Sequence, residues 1–164
     1  MRRNSTRQSG WMILLSFVAA FALTLLPLPQ WAQALRPEWV ALVLIYWCTT
    51  APQRVGVGVG WSAGLLLDVT RDALLGQYAL SFAVVAYLAV KLHQHMRALP
   101  LAQQAPLVLA LIVAAQALVL LIKGVTGQPV WGIGYWLPTL SSALLWPAVV
   151  VALRGMHQRY AALK

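Results

Sequence analysis

The sequence predicts an all-α integral membrane protein, a single domain built as a bundle of six transmembrane helices. Of its 164 residues, 61% are hydrophobic and only 9% are charged, whereas a soluble domain carries about 25% charged residues. The apolar runs, such as residues 11–28 and 107–122, are continuous and lack the alternation of membrane β-strands. Because lipid offers the backbone no hydrogen-bond partners, continuous apolar runs indicate helices.

Six segments satisfy or approach the length of about 20 apolar residues that a membrane span requires. The predicted spans cover residues 11–28, 37–51, 55–69, 74–92, 106–122 and 135–153, and Pro147 should kink the last one. The second segment is short, so a re-entrant hairpin of segments two and three stays open as an alternative with four spans. The first segment resembles a cleavable signal, but its 18-residue run exceeds the usual length of about 7–15, and we expect it to remain as an anchor.

The charges predict the orientation of these spans. With the N-terminus inside, nine basic residues are cytoplasmic and three, Arg36, Arg71 and Lys123, are external. This bias is typical of a multi-pass membrane protein with both termini in the cytoplasm. The net charge of +9 is explained by topology, so we expect membrane lipid and not nucleic acid as the surrounding partner.

The third segment carries glycines at a helical spacing. Gly56, Gly60 and Gly64 are four residues apart and would line one helix face, where a second helix could approach closely. The sequence leaves open whether that helix belongs to the same chain or to a second copy in a homo-oligomer.

Asp68 is the most informative charged residue of the predicted spans. It would lie about 20 Å along the helix from Val55, in the outer leaflet, where a carboxylate usually has a partner. We predict an ion pair with Arg36 near the external mouth of the bundle, with Arg71, one turn away, as the rival partner. The alternative is that Asp68 simply marks the exit from the membrane and lies in water.

No catalytic, metal-binding or cofactor-binding pattern is present, so the sequence does not predict an enzyme. Cys48 is the only cysteine and is expected to be an inert packing residue. His93 and His95, two residues apart, would point to different helix faces and do not suit a metal pair.

An ordered set of short stretches, which covers nearly the whole chain, resembles the MreD family of gammaproteobacterial rod-shape-determining membrane proteins. These stretches are Arg36-Pro37-Glu38-Trp39, Tyr46-Trp47, Pro52-Gln53-Arg54-Val55, Gly58-Val59-Gly60, Gly64-Leu65-Leu66-Leu67-Asp68, Leu75-Gly76, Ala79-Leu80, Ala86-Tyr87, Gln103-Gln104 and Leu144-Leu145-Trp146-Pro147. The family often has a Gly soon after the aspartate, where this chain has Thr70-Arg71-Asp72. This departure affects the conformation expected for the external turn.

The resemblance implies a non-enzymatic membrane scaffold or regulator of the cell-elongation complex that synthesises peptidoglycan. Its implied partners are MreC, MreB, and RodA with its penicillin-binding transpeptidase, and its implied fold resembles the substrate-binding subunits of energy-coupling-factor transporters. The residues we consider as structural or interaction candidates are Arg36, Pro37, Trp39, Gly56, Gly60, Gly64, Asp68, Arg71 and Pro147.

Two other functions compete with the scaffold. A small-molecule or lipid binding subunit of a transporter would need a pocket lined by polar groups near the external end of the bundle. An intramembrane enzyme is disfavoured because no catalytic set is visible in the sequence.

Overall fold

The computed structural model describes residues 2–129 and 132–163, and within these ranges the chain is helical, with no β-strand. The prediction of an all-helical fold is therefore confirmed. The seven α-helices and one 3-10 turn are α1 (Arg2–Leu25), α2 (Gln30–Gln33), α3 (Trp39–Thr50), α4 (Val57–Thr70), α5 (Gln77–Ala98), α6 (Leu101–Val125), the 3-10 turn (Ile133–Trp136) and α7 (Leu137–Ala162).

Each of the six longer helices overlaps one predicted segment, and α2 is an additional short helix in the connection between α1 and α3. Helices α5 and α7 continue to Ala98 and Ala162. The predicted ends at residues 92 and 153 fall short of these, because apolar runs set the predicted ends and the last turns of both helices are polar and basic. Lys164 and the side chains of Arg2, Arg3 and Arg7, which the charge count includes, lie outside the described part.

Two helical stretches of the described chain, Leu101–Val125 and Ile133–Ala162, are long and apolar enough to cross a membrane. Three shorter apolar helical stretches cover Gly10–Leu25, Trp39–Thr50 and Val57–Thr70. Length and composition thus indicate a membrane protein, while the number of crossings stays a prediction.

Helix α3 forms the centre of the bundle and contacts α1, α5, α6 and α7. Ten of its 12 residues are buried, and Leu44, Ile45 and Cys48 have no exposed surface. Helix α4 packs mainly against α5. The short α3 is therefore enclosed by protein over nearly its whole length.

The helices run alternately between two ends of the bundle. At the Glu38 end, α4 finishes beside the starts of α3 and α5, because Arg71 contacts both Glu38 and Tyr78. The start of α7 lies there too, since the Glu38 N–H donates to Ser142 Oγ at 2.8 Å. At the opposite Arg97 end, Arg97 after the predicted fourth span donates to the carbonyls that finish α3.

The outer sides of the bundle are apolar. Large hydrophobic side chains are exposed on every α-helix except α3, among them Val18, Leu66, Val69, Leu121, Leu144 and Val151. So much exposed apolar surface is unusual for a soluble monomer and suits contact with lipid.

Candidate functional site

The Asp68 carboxylate caps the N-terminus of α5. Its two oxygens accept hydrogen bonds from the backbone N–H groups of Gly76 at 2.8 Å, Tyr78 at 2.7 Å and Ala79 at 3.4 Å. The chain can turn into this position because Gly76 has φ +100°, a conformation that costs glycine little. With 0% exposure, Asp68 supplies a buried anion where the helix has unpaired N–H groups and a partial positive charge.

The predicted ion pair between Asp68 and Arg36 is wrong. Arg36 donates instead to the backbone carbonyls of Thr24 and Leu26 at the end of α1, where unpaired carbonyls favour a cation. Each charge thus satisfies a different helix terminus. The local alternative is wrong as well, because the guanidinium of Arg71 turns to another carboxylate.

Arg71 forms its ion pair with Glu38. The Nη2–Oε2 distance is 3.2 Å, and the two side chains are 26% and 14% exposed. Arg71 Nη1 also donates to Tyr78 Oη at 3.0 Å, and the guanidinium carbon lies 4.9 Å from the centre of the Tyr78 ring. Burial alone would lower the pKa of Arg71, but the neighbouring Glu38 and Tyr78 outweigh it and hold that pKa above its ordinary value.

The contact between α4 and α5 depends on two of the three glycines. A Cβ atom on Gly60 would lie 2.7 Å from the Phe82 carbonyl oxygen, and one on Gly64 would lie 2.6 Å from the Ala79 nitrogen. The close partner is therefore α5 of the same chain. Gly56 is not part of this contact, because it precedes the helix as its N-cap and a Cβ there would meet nothing within 4 Å.

Side chains also cap helix ends at the Arg97 end, and the patterns in the sequence did not predict them. Arg97 donates to the carbonyls of Thr49 at 2.8 Å and Thr50 at 2.5 Å. Gln104 Nε2 donates to the Met96 carbonyl at 2.7 Å, and its Oε1 accepts from Trp146 Nε1 at 3.2 Å. The only signal in the sequence is a basic or amide side chain near the predicted end of a helix.

Two further candidate residues, Trp39 and Pro147, lie within helices. Trp39 begins α3 and is partly buried against the core. Its backbone N–H donates to the Pro37 carbonyl at 3.0 Å. Pro147 lies inside α7, which continues past it as a helix. The kink expected at Pro147 stays a prediction.

A cavity of about 460 Å³ opens at the Glu38 end between α3, α5, α6 and the start of α7. Arg36, Glu38 and Arg71 contribute charges to its lining, while Ile112 and Val119 of α6 contribute apolar surface. In the part of the chain that the structure describes, no three His, Cys, Asp or Glu side chains are grouped as a metal site would require. The lining of the cavity therefore combines a charged cluster with apolar surface.

Comparison with known proteins assigns the chain to a family. Residues 5–156 match the family model described as rod shape-determining protein MreD. The chain belongs to the MreD family. It is similar to the rod shape-determining protein MreD of Haemophilus influenzae, with 32% identity over 150 residues that cover 91% of this chain and 93% of that protein.

Membership confirms the resemblance inferred from the sequence and places the chain among proteins that determine rod shape, a family not known for enzymes. No solved structure matches the chain. The likeness to the substrate-binding subunits of energy-coupling-factor transporters stays a prediction.

Proposed function

We propose that the chain is a six-span inner-membrane scaffold or regulator of the cell-elongation complex, with both termini in the cytoplasm. The observation that carries the proposal is its membership of the MreD family over residues 5–156. The apolar sides of the bundle and the charged clusters at its two ends support a position within the bilayer. The partners that the family implies are MreC, MreB, and RodA with its penicillin-binding transpeptidase.

The packing of α3 and α4 supports two crossings over a re-entrant hairpin. The connection between these helices lies at the same end of the bundle as the C-terminus of α5, because Arg97 donates to the carbonyls of Thr49 and Thr50. A hairpin that turned back at mid-membrane would not reach the end of a helix that crosses fully. The ends of both short helices therefore coincide with the ends of longer ones.

The contacts of α1 support its retention as an anchor. Trp47 Nε1 of α3 donates to Ser16 Oγ at 2.7 Å, and Met12, Phe17 and Ala20 of α1 are buried. Removal of this helix would uncover one side of α3. The fold would then be less stable, because α3, whose other sides are packed against protein, would lose its contacts with α1.

A second candidate function is a small-molecule or lipid binding subunit of a transporter. The cavity at the Glu38 end is the specific observation that favours it, because this reading required a polar-lined pocket at the predicted external end. The two functions predict different consequences when the protein is lost from the cell.

Depletion of the protein, followed by microscopy and by uptake assays, distinguishes the two functions. The scaffold predicts that rods become round, and re-expression of the wild-type chain restores them. Cells that remain rods but lose the uptake of one nutrient would contradict the scaffold and favour the transporter subunit.

The orientation has its own test in whole cells. On a Cys48→Ala background we expect a membrane-impermeant thiol reagent to label Asp72→Cys, which lies in the predicted external turn, and to leave Tyr160→Cys unlabelled until the membrane is permeabilised. External labelling of Arg97→Cys or Tyr160→Cys would contradict the six-span layout.

A further inference from the structure

We propose that the cavity at the Glu38 end binds an amphiphile whose head is an anionic oxygen group, a phosphate or a carboxylate, attached to an apolar body. The inference goes beyond the role in cell shape, which does not require a bound ligand. It rests on the charges, the unpaired donor and the apolar wall of this one cavity.

The charge of the lining favours an anion. Arg36 and Arg71 contribute two positive charges, and Glu38, the only acidic residue among the described residues of the lining, is already paired with Arg71. Arg36 is held by the backbone carbonyls of α1, which accept its hydrogen bonds but carry only partial charge. Lys123, 5.5 Å from the ring of the lining residue Tyr135, adds a further positive charge near the cavity.

Arg36 supplies an unused donor in the same cavity. Its two terminal nitrogens donate to the carbonyls of Thr24 and Leu26, but its Nε is buried and has no hydrogen-bond partner, and the residue lines the cavity. Gln116, which is only 7% exposed, adds an amide to the same lining, and its Oε1 accepts from Thr139 Oγ1 at 2.5 Å. A buried donor without a partner is unfavourable, and an oxygen of a bound phosphate or carboxylate would satisfy it.

The rest of the cavity's lining calls for an apolar group. Ala41, Phe82, Ile112, Ala115 and Val119 line it with hydrocarbon. Its volume of about 460 Å³ falls within the range of about 300–1,000 Å³ typical of small-molecule sites. An anionic head on an apolar body matches both parts of the lining, and either a membrane lipid or a water-soluble organic anion carries this chemistry.

Thermal unfolding of the purified full chain in a neutral detergent tests the proposal, because a ligand that binds only the folded state raises the midpoint. The probes are dihexanoyl phosphatidylglycerol for the lipid source and phenyl phosphate for the soluble source. Dihexanoyl phosphatidylcholine, whose head has no net charge, is the control probe. We expect at least one anionic probe to raise the midpoint saturably, and phosphatidylcholine to have at least tenfold weaker effect.

Two variants tie the response to this cavity. Gln116→Leu removes the amide from the polar part of the lining, and Ala115→Phe fills the apolar part; each should raise the half-saturating probe concentration at least tenfold. Their matched controls on the same helix are Gln103→Leu and Ala117→Phe, whose positions are exposed and outside the lining, and these should respond as the wild-type chain does.

The outcomes separate the sources and decide the proposal. A response to phosphatidylglycerol alone assigns a lipid head, and a response to phenyl phosphate alone assigns a soluble anion. No saturable response to either probe, an equal response to phosphatidylcholine, or an unchanged response in a folded Ala115→Phe variant would overturn the site. None of these results depends on cell shape, so failure here leaves the scaffold function untouched.

Discussion

Replacement of Asp68 should destabilise the bundle more than any other loss of a single charge. The two short hydrogen bonds from Gly76 and Tyr78 would be lost in Asp68→Ala, in a site with no exposed surface. An unsatisfied buried donor costs about 1–3 kcal/mol, so two of them cost about 2–6 kcal/mol. We expect a loss of about 3 kcal/mol, since water can enter the space left by the carboxylate.

Thermal unfolding of the purified chain in detergent measures this loss. At about 2–4 °C per kcal/mol for a chain of this size, the midpoint should fall by about 6–12 °C. Asp68→Asn keeps one acceptor oxygen and should cost about half as much. Hydrogen exchange should also become faster at the N–H groups of Gly76 and Tyr78, which lose their acceptor.

Asp72→Asn is the matched control for this prediction. Asp72 is exposed and has φ 49°, a conformation that asparagine adopts readily, so the change should stay within about 0.5 kcal/mol. If Asp68→Ala were no more harmful than Asp72→Asn, the capping role of Asp68 would be refuted. A double-mutant cycle of Asp68→Asn with Arg36→Gln should be additive within about 0.3–0.5 kcal/mol, because the two side chains serve different helix ends.

Three further predictions use the same unfolding assay. Gly64→Ala should lower the stability by about 1–3 kcal/mol, because the added methyl group forces α4 away from α5. Its control is Gly58→Ala, where a Cβ would meet nothing within 4 Å, and this change should be neutral or stabilising by up to about 1 kcal/mol. Equal effects of the two changes would contradict the close contact. Glu38→Gln and Arg71→Gln should couple by about 0.5–3 kcal/mol, and additivity would show that their ion pair contributes nothing. Arg97→Gln should cost about 1 kcal/mol, because the end of α3 loses its cation, and an unchanged midpoint would exclude that role.

The glycine face shows how much of the fold the sequence could predict. Spacing alone indicated that Gly60 and Gly64 share a face, because helical periodicity is a local property. Gly56 has the same spacing, but the helix begins only at Val57, and a periodic pattern does not define where a helix starts. The identity of α5 as the partner depends on the path of the chain after α4, which periodicity does not contain.

Asp68 shows why the candidate site was harder to predict than the fold. The sequence located a carboxylate near the external end and suggested partners by charge and proximity along the helix. Its actual partners are backbone N–H groups, which every residue except proline carries and which composition therefore cannot reveal. One signal was available: α5 begins after Gly76, which has no side chain to cap it, so its cap had to come from elsewhere in the chain.

The burial of α3 has a consequence for how the chain enters its membrane. At about 1.5 Å per residue, its 12 residues extend only about 18 Å, against a hydrocarbon layer of about 30 Å. In the six-span arrangement that we propose, such a helix is too short to span the hydrocarbon layer by itself. We expect it to enter the bilayer together with the helices that enclose it, so a nascent chain released before α5 should fail to integrate its second segment, however apolar that segment is.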